Sequence, residues 1–135
     1  MKIELTEKQY RRLLDMVYIG NWILNSPRGA DRFSDYDEVE SLLFRQSFST
    51  DMTDLAEVLC GAAVPSRAFV NGGIHEAIAD YEDAVFFDIL AEELARRDLE
   101  GGDTLPETDP ELMARIEEYY SEFEANGIDH LIIEE

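Results

Sequence analysis

The first long apolar stretch of the chain begins shortly after Thr6. Nine of the twelve residues between Leu13 and Leu24 are apolar, and on a helix they face every direction around the axis. Thr6 and Gln9 have the spacing at which two side chains satisfy two free N–H groups at a helix start. The pattern predicts a central helix over residues 7–25, buried on most sides, in which Gly20 allows a neighbouring helix to cross closely.

Three further segments carry apolar residues at helical spacing. A second helix is expected over residues 34–48, and a shorter third helix over residues 52–60 would end at Gly61, where a left-handed residue is favoured. A loop then leads to the longest helix, over residues 74–99. That helix is expected to direct one stripe of side chains into the core: Ile74, Ile78, Tyr81, Val85, Ile89 and Leu94.

The last part of the chain combines a helix with an extended end. Thr108 and Glu111 have capping-box spacing around Pro110, and a proline is tolerated in a first helical turn because no N–H is needed there. Residues 129–133 alternate or run apolar and include β-branched isoleucines, which favours a strand. Because an isolated strand leaves its backbone groups unpaired, we expect this strand to pair with the extended residues near Ile3.

These patterns predict a mainly α protein of about five helices packed around the central helix 7–25. A small two-stranded sheet is expected from the N- and C-terminal segments. The sequence has 135 residues, of which 45% are apolar, and this is enough for one substantial core. We therefore expect residues 1–135 to form a single helical domain.

Charge changes this picture more than any motif does. Eleven basic residues oppose 31 acidic ones, which gives a net charge of −20. The imbalance grows along the chain, because residues 98–135 hold one basic residue, Arg115, against thirteen acidic ones. Such a field repels nucleic-acid phosphates and anionic lipid and attracts basic partners. The charge therefore predicts a basic protein partner, with no direct binding to nucleic acid or to membrane.

Cysteine content and hydropathy bear on localisation. Cys60 is the only cysteine, which fits a reducing compartment and a small buried side chain. No basic segment followed by an apolar one opens the sequence, and its longest apolar stretch is shorter than the roughly 20 residues of a membrane span. We expect a cytoplasmic protein.

Catalytic and metal-binding motifs find no support in the sequence. His75 and Glu76 begin like a zinc-protease motif, but Ala79 stands where the second histidine is needed. The glycines at 72 and 73 precede a helix without the Lys-Ser/Thr of a phosphate-binding loop. The sequence thus predicts no metal site and no cofactor, and it favours a noncatalytic protein over an enzyme.

Four residues are candidates for a pocket. Asn21 and Trp22 carry polar groups that need partners if the central helix is buried. His75 stands beside a carboxylate, and Asp88 lies among apolar residues, where burial would raise its pKa. An alternative function follows from them: a small enzyme or metabolite-binding domain with a carboxylate-containing pocket.

The favoured function rests on the last helix. An exposed tyrosine flanked by acids suits a basic partner, and the candidate binding residues are Glu117, Glu118, Tyr120, Glu122 and Glu124. We expect a noncatalytic acidic interaction protein that binds a basic protein surface, with a nucleic-acid mimic as one specific form. A homodimer is a further expectation, since a helix with two apolar sides can complete its core with a second copy.

Overall fold

A computed structural model describes residues 1–134 and shows a mainly α protein, as the sequence predicts. The helices are α1 (Glu7–Asn25), α2 (Ser34–Arg45), α3 (His75–Asp98) and α4 (Pro110–Asn126), and the strands are β1 (Ala56–Leu59) and β2 (Ala62–Pro65). The chain divides into two compact units, unit 1 (Met1–Ile78) and unit 2 (Ala79–Glu135). The expected single domain over residues 1–135 stays a prediction.

Helix α1 begins as predicted but is less buried than predicted. The Thr6 hydroxyl accepts a hydrogen bond from the Gln9 N–H (3.2 Å), and the Gln9 side chain accepts one from the Thr6 N–H (2.9 Å). Leu14 is fully buried, whereas 70% of Met16 is exposed. The helix therefore has one buried face, and Gly20 is exposed with no close neighbour, so the expected tight helix crossing was wrong.

Aromatic side chains form the core of unit 1. Phe44 of α2 and Phe69 of the helical turn Arg67–Phe69 meet edge to face, with ring centroids 4.9 Å apart. Leu14 completes this cluster together with two small or aliphatic residues, Ala56 and Ile74. Burial of these side chains stabilises unit 1 through the hydrophobic effect and through ring geometry.

The prediction of a third helix over residues 52–60 was wrong. A hairpin lies there, in which β1 pairs antiparallel with β2 and Leu59 stands opposite Ala62. Cys60 and Gly61 connect the strands with φ angles of 50° and 80°, the positive values of a two-residue type I′ turn. Cys60 is exposed at this turn and not buried.

The prediction of a two-stranded sheet formed by the chain ends was also wrong. Within the described residues, the sheet is the hairpin of β1 and β2. Ile3 is 71% exposed and lines an apolar groove of about 740 Å³ with Leu5, Met16 and Leu43. Ile132 lies in a non-regular segment after α4 and is 80% exposed.

Unit 2 is built on α3 and α4. The start of α4 differs slightly from the prediction, since Asp109 and not Thr108 accepts the hydrogen bonds of the first turn. In α3, Ala91 and Ala95 are fully buried, whereas Tyr81 and Ile89 are each 60% exposed. The predicted stripe is therefore buried at Ile74 and Ile78 but not at Tyr81 and Ile89.

Candidate functional sites

Three of the five predicted binding residues line one shallow depression on unit 2. The depression has a volume of about 490 Å³, and we call it the acidic face; its lining residues are Phe87, Glu117, Tyr120, Phe123 and Glu124. The rings of Phe87 and Phe123 lie 5.4 Å apart, and both glutamates are exposed. The acidic face therefore has an aromatic floor and an acidic rim.

The other two predicted binding residues have internal partners. Glu118 pairs with Arg115 three positions earlier on α4. Glu122 lies close to the His130 ring (Oε1 to Nδ1, 2.6 Å) and accepts a hydrogen bond from the Asn126 amide (3.2 Å). These glutamates help to hold α4 and the segment after it, so they are less available to an external partner.

A network around Asp98 escaped the sequence analysis. The Asp98 carboxylate accepts hydrogen bonds from Arg97 (Nη2 to Oδ1, 2.8 Å), Arg115 (Nη2 to Oδ2, 2.6 Å) and the Tyr119 hydroxyl (2.5 Å). The Tyr119 and Arg115 donors hold the pKa of Asp98 well below its usual range. This network joins the last turn of α3 to α4.

All three arginines of unit 2 are committed within the unit. Arg96 pairs with Glu92 (2.8 Å) and donates to the carbonyl oxygens of Gly102 and Leu105. Arg97 and Arg115 hold Asp98. Residues 79–135 contain nineteen acidic residues against these three cations, so most of the negative charge has no internal counter-charge.

Asp88 does not have the buried surroundings that the sequence suggested. It is exposed on α3, and the group it faces is Tyr120 of the acidic face. Burial and the nearby Asp88 carboxylate raise the pKa of Tyr120. Asp88 therefore contributes to the negative surface of unit 2.

The other three pocket candidates meet in unit 1. Asn21 and Trp22 line a cavity of about 160 Å³, which we call the α1 pocket; its lining residues are Tyr18, Asn21, Trp22, Asn25, Ser26, Arg32 and Glu40. The His75 ring lies beside it, with Nε2 2.6 Å from the Tyr18 hydroxyl and its ring centroid 6.3 Å from that of Trp22.

The carboxylate of the α1 pocket is Glu40, which the sequence analysis missed. The Asn21 amide donates to Glu40 (2.9 Å) and to Asp37 (3.0 Å). Arg32 binds both oxygens of Asp37, at 2.8 and 3.0 Å. Burial raises the pKa of Glu40, whereas the Arg32 contact lowers that of Asp37. One signal was present in the sequence, since Asp37 and Glu40 are three residues apart on one helix face.

Metal and membrane sites receive no support from the described residues. Within residues 1–134, no three His, Cys, Asp or Glu side chains are placed to hold a metal ion together. No helix in that range combines the length and apolarity that crossing a bilayer requires.

A comparison of the chain with protein-family models, curated proteins and solved structures gave no match. The acidic face and the α1 pocket are therefore the two features that bear on function.

Proposed function

We propose that this protein is a noncatalytic interaction protein whose unit 2 binds a basic protein surface through the acidic face. The observation that carries the proposal is the commitment of all three arginines of unit 2 to internal partners. The remaining carboxylates are left to act on the outside of the unit. Their summed field speeds the encounter with a positively charged partner.

The geometry of the acidic face suits basic side chains in particular. A lysine or arginine has an apolar stem that can cover the rings of Phe87 and Phe123, while its charged head reaches a carboxylate on the rim. Glu117 and Glu124 supply those carboxylates. Tyr120 adds a partly buried ring with a hydroxyl group, a combination that is frequent in protein interfaces.

A nucleic-acid mimic is the narrower form of this proposal. In that form, the partner is a DNA- or RNA-binding protein and the carboxylates of unit 2 occupy its phosphate-binding cleft. The captured partner would then lose its nucleic acid as this protein is added, in a salt-dependent competition.

The test compares three columns that carry the unaltered protein, the E117Q/E124Q variant and the E100Q/E107Q variant. Glu100 and Glu107 are exposed in unit 2 but do not line the acidic face, so both variants lose the same charge. Host lysate is loaded at low salt and eluted with a salt gradient, and bound proteins are identified by mass spectrometry.

We expect one basic protein to be retained by the unaltered protein and by E100Q/E107Q, and to leave the E117Q/E124Q column at clearly lower salt. Equal retention on all three columns would contradict the acidic face as the binding site. An empty column, or a mixture of basic proteins that elute together, would contradict a specific basic partner.

A second candidate function, the binding of a small metabolite, is favoured by one observation. Asn21, Trp22 and His75 were predicted as pocket residues, and they meet at the α1 pocket beside Glu40. A small cavity that joins polar and aromatic groups is a common form of ligand site.

A further inference from the structure

Glu40 has an unusual position among the acidic residues of unit 1. It is partly buried, and its hydrogen bond comes from the neutral amide of Asn21. Within residues 1–134, no lysine, arginine or histidine forms an ion pair with it. Withdrawing a carboxylate from water without a counter-charge is unfavourable. The α1 pocket therefore offers a carboxylate that a bound cation would stabilise.

The neighbouring charges leave the pocket with a net charge of −1. Arg32 also lines the pocket, but both of its hydrogen bonds to carboxylate go to Asp37. The guanidinium and the Asp37 carboxylate thus neutralise each other. One negative charge, on Glu40, is left without a partner, so a single positive charge would complete the site.

Aromatic side chains form part of the pocket wall. Tyr18 and Trp22 both line the cavity, and tryptophan offers a cation the most favourable aromatic face. His75 fixes these rings, since it bonds to the Tyr18 hydroxyl at 2.6 Å and meets the Trp22 ring edge to face. The wall is therefore held in place before any ligand arrives, which lowers the entropy cost of binding.

We propose that the α1 pocket binds a small monovalent organic cation, a primary or methylated ammonium group, between the rings of Tyr18 and Trp22 and the carboxylate of Glu40. The volume of about 160 Å³ matches a head group with a short carbon chain. A cavity of roughly this size accommodates a benzene molecule in a protein interior. Burial raises the pKa values of Glu40 and Tyr18, which agrees with a site where a positive charge is missing. This inference does not depend on the acidic face.

Trp22 is the only tryptophan of the chain, so its fluorescence reports on this pocket. The protein of residues 1–135 is titrated with tetramethylammonium chloride at constant ionic strength, with sodium chloride as the balancing salt. A parallel titration uses tert-butanol, which has a similar shape and no charge. We expect a saturable change in fluorescence with tetramethylammonium and none with tert-butanol.

Two variants separate the pocket carboxylate from the general negative field. Glu40→Gln keeps an oxygen that can accept from Asn21 but removes the charge, and we expect it to weaken tetramethylammonium binding by about tenfold or more. Glu38→Gln removes an exposed charge from the same helix, and we expect unchanged binding.

Three results would overturn the proposal. They are no saturable response to tetramethylammonium, an equal response to tert-butanol, and equal weakening by Glu40→Gln and Glu38→Gln. The comparison of the two probes uses the unaltered protein, so it decides the question even if Glu40→Gln does not fold.

Discussion

Unit 1 and unit 2 differ in how far basic residues balance their acidic ones. Residues 1–78 hold eight basic and twelve acidic residues, a net charge of −4, and residues 79–135 hold three and nineteen, a net charge of −16. In unit 1, Asp37 and Glu40 accept hydrogen bonds from side chains that also position α1 against α2. In unit 2, most carboxylates have no cation partner. Basic residues therefore balance most of the negative charge of unit 1, whereas most of the negative charge of unit 2 is unbalanced.

This difference decides which unit attracts a charged partner. Both units are acidic, but the field at a distance follows the summed charge, which is −4 for unit 1 and −16 for unit 2. The three arginines of unit 2 leave it with a net charge of −16, and Arg96 also donates a hydrogen bond to the Gly102 carbonyl oxygen in the turn after α3.

The largest expected effect comes from Gly102→Ala in unit 2. A Cβ atom at this position would lie 2.0 Å from the Arg96 carbonyl oxygen, so the turn that Arg96 clamps would have to open. We expect a loss of about 3 kcal/mol or more in the free energy of unfolding. Urea unfolding followed by circular dichroism measures it. Gly20→Ala is the matched control, because no atom lies near that site and alanine favours a helix by up to about 1 kcal/mol.

The second effect tests whether polar contacts hold unit 1. Asn25 is buried, and its amide donates to Asn21 (2.6 Å) and to the Phe33 carbonyl (3.1 Å). Asn25→Ala leaves these groups unpaired, so we expect a loss of about 1–3 kcal/mol in unfolding free energy, measured by urea with Trp22 fluorescence. Ser47 is buried too, but its hydroxyl has no hydrogen-bond partner among the described residues. Equal losses in Asn25→Ala and Ser47→Ala would refute the role of the network.

The third effect is a pair of opposite pH dependences. The pKa of Asp98 is lowered in the folded state, so its contribution to stability is complete above its ordinary value of roughly 3.9 and is lost as the pH falls below it. The pKa of Glu40 is raised, so stability is lost as the pH rises from roughly 4.3 through the higher folded value. Asp98→Asn should therefore flatten the acid loss, and Glu40→Gln should raise the unfolding free energy at neutral pH. Urea unfolding of the unaltered protein and of both variants at several pH values measures these effects. If both substitutions changed the pH dependence of the unfolding free energy in the same direction, the contrast between Asp98 and Glu40 would be wrong.

The smallest effect concerns the acidic face. If its carboxylates serve binding and not folding, the E117Q/E124Q variant should unfold within about 0.5 kcal/mol of the unaltered protein. Thermal unfolding followed by circular dichroism is sufficient. A loss of more than about 1 kcal/mol would give these glutamates a structural role.

Short-range patterns in the sequence predicted much of the fold. Thr6 and Gln9 need only each other and the backbone between them, so their capping box could be predicted from four residues. Gly61 shows the limit of such reasoning. A helix C′ position and a type I′ turn both require a positive φ, and only the pairing of β1 with β2 decides between them.

The buried face of α3 was harder to predict. The predicted stripe was defined by large apolar side chains, whereas the fully buried positions of this helix are the small residues Ala91 and Ala95. Glu40 shows the same limit at the α1 pocket. Its meeting with Asn21 joins residues nineteen positions apart on different helices, and no sequence period encodes that contact.

The hairpin gives the molecule one thiol at a defined point. Cys60 stands exposed in the turn between β1 and β2, and it is the only cysteine of the chain. Air oxidation can therefore yield one covalent protein dimer, joined turn to turn through Cys60. A maleimide dye would attach at this site alone. The turn at which a helix was wrongly predicted thus provides a single attachment site for spectroscopic labels in unit 1. This site is not part of the α1 pocket lining.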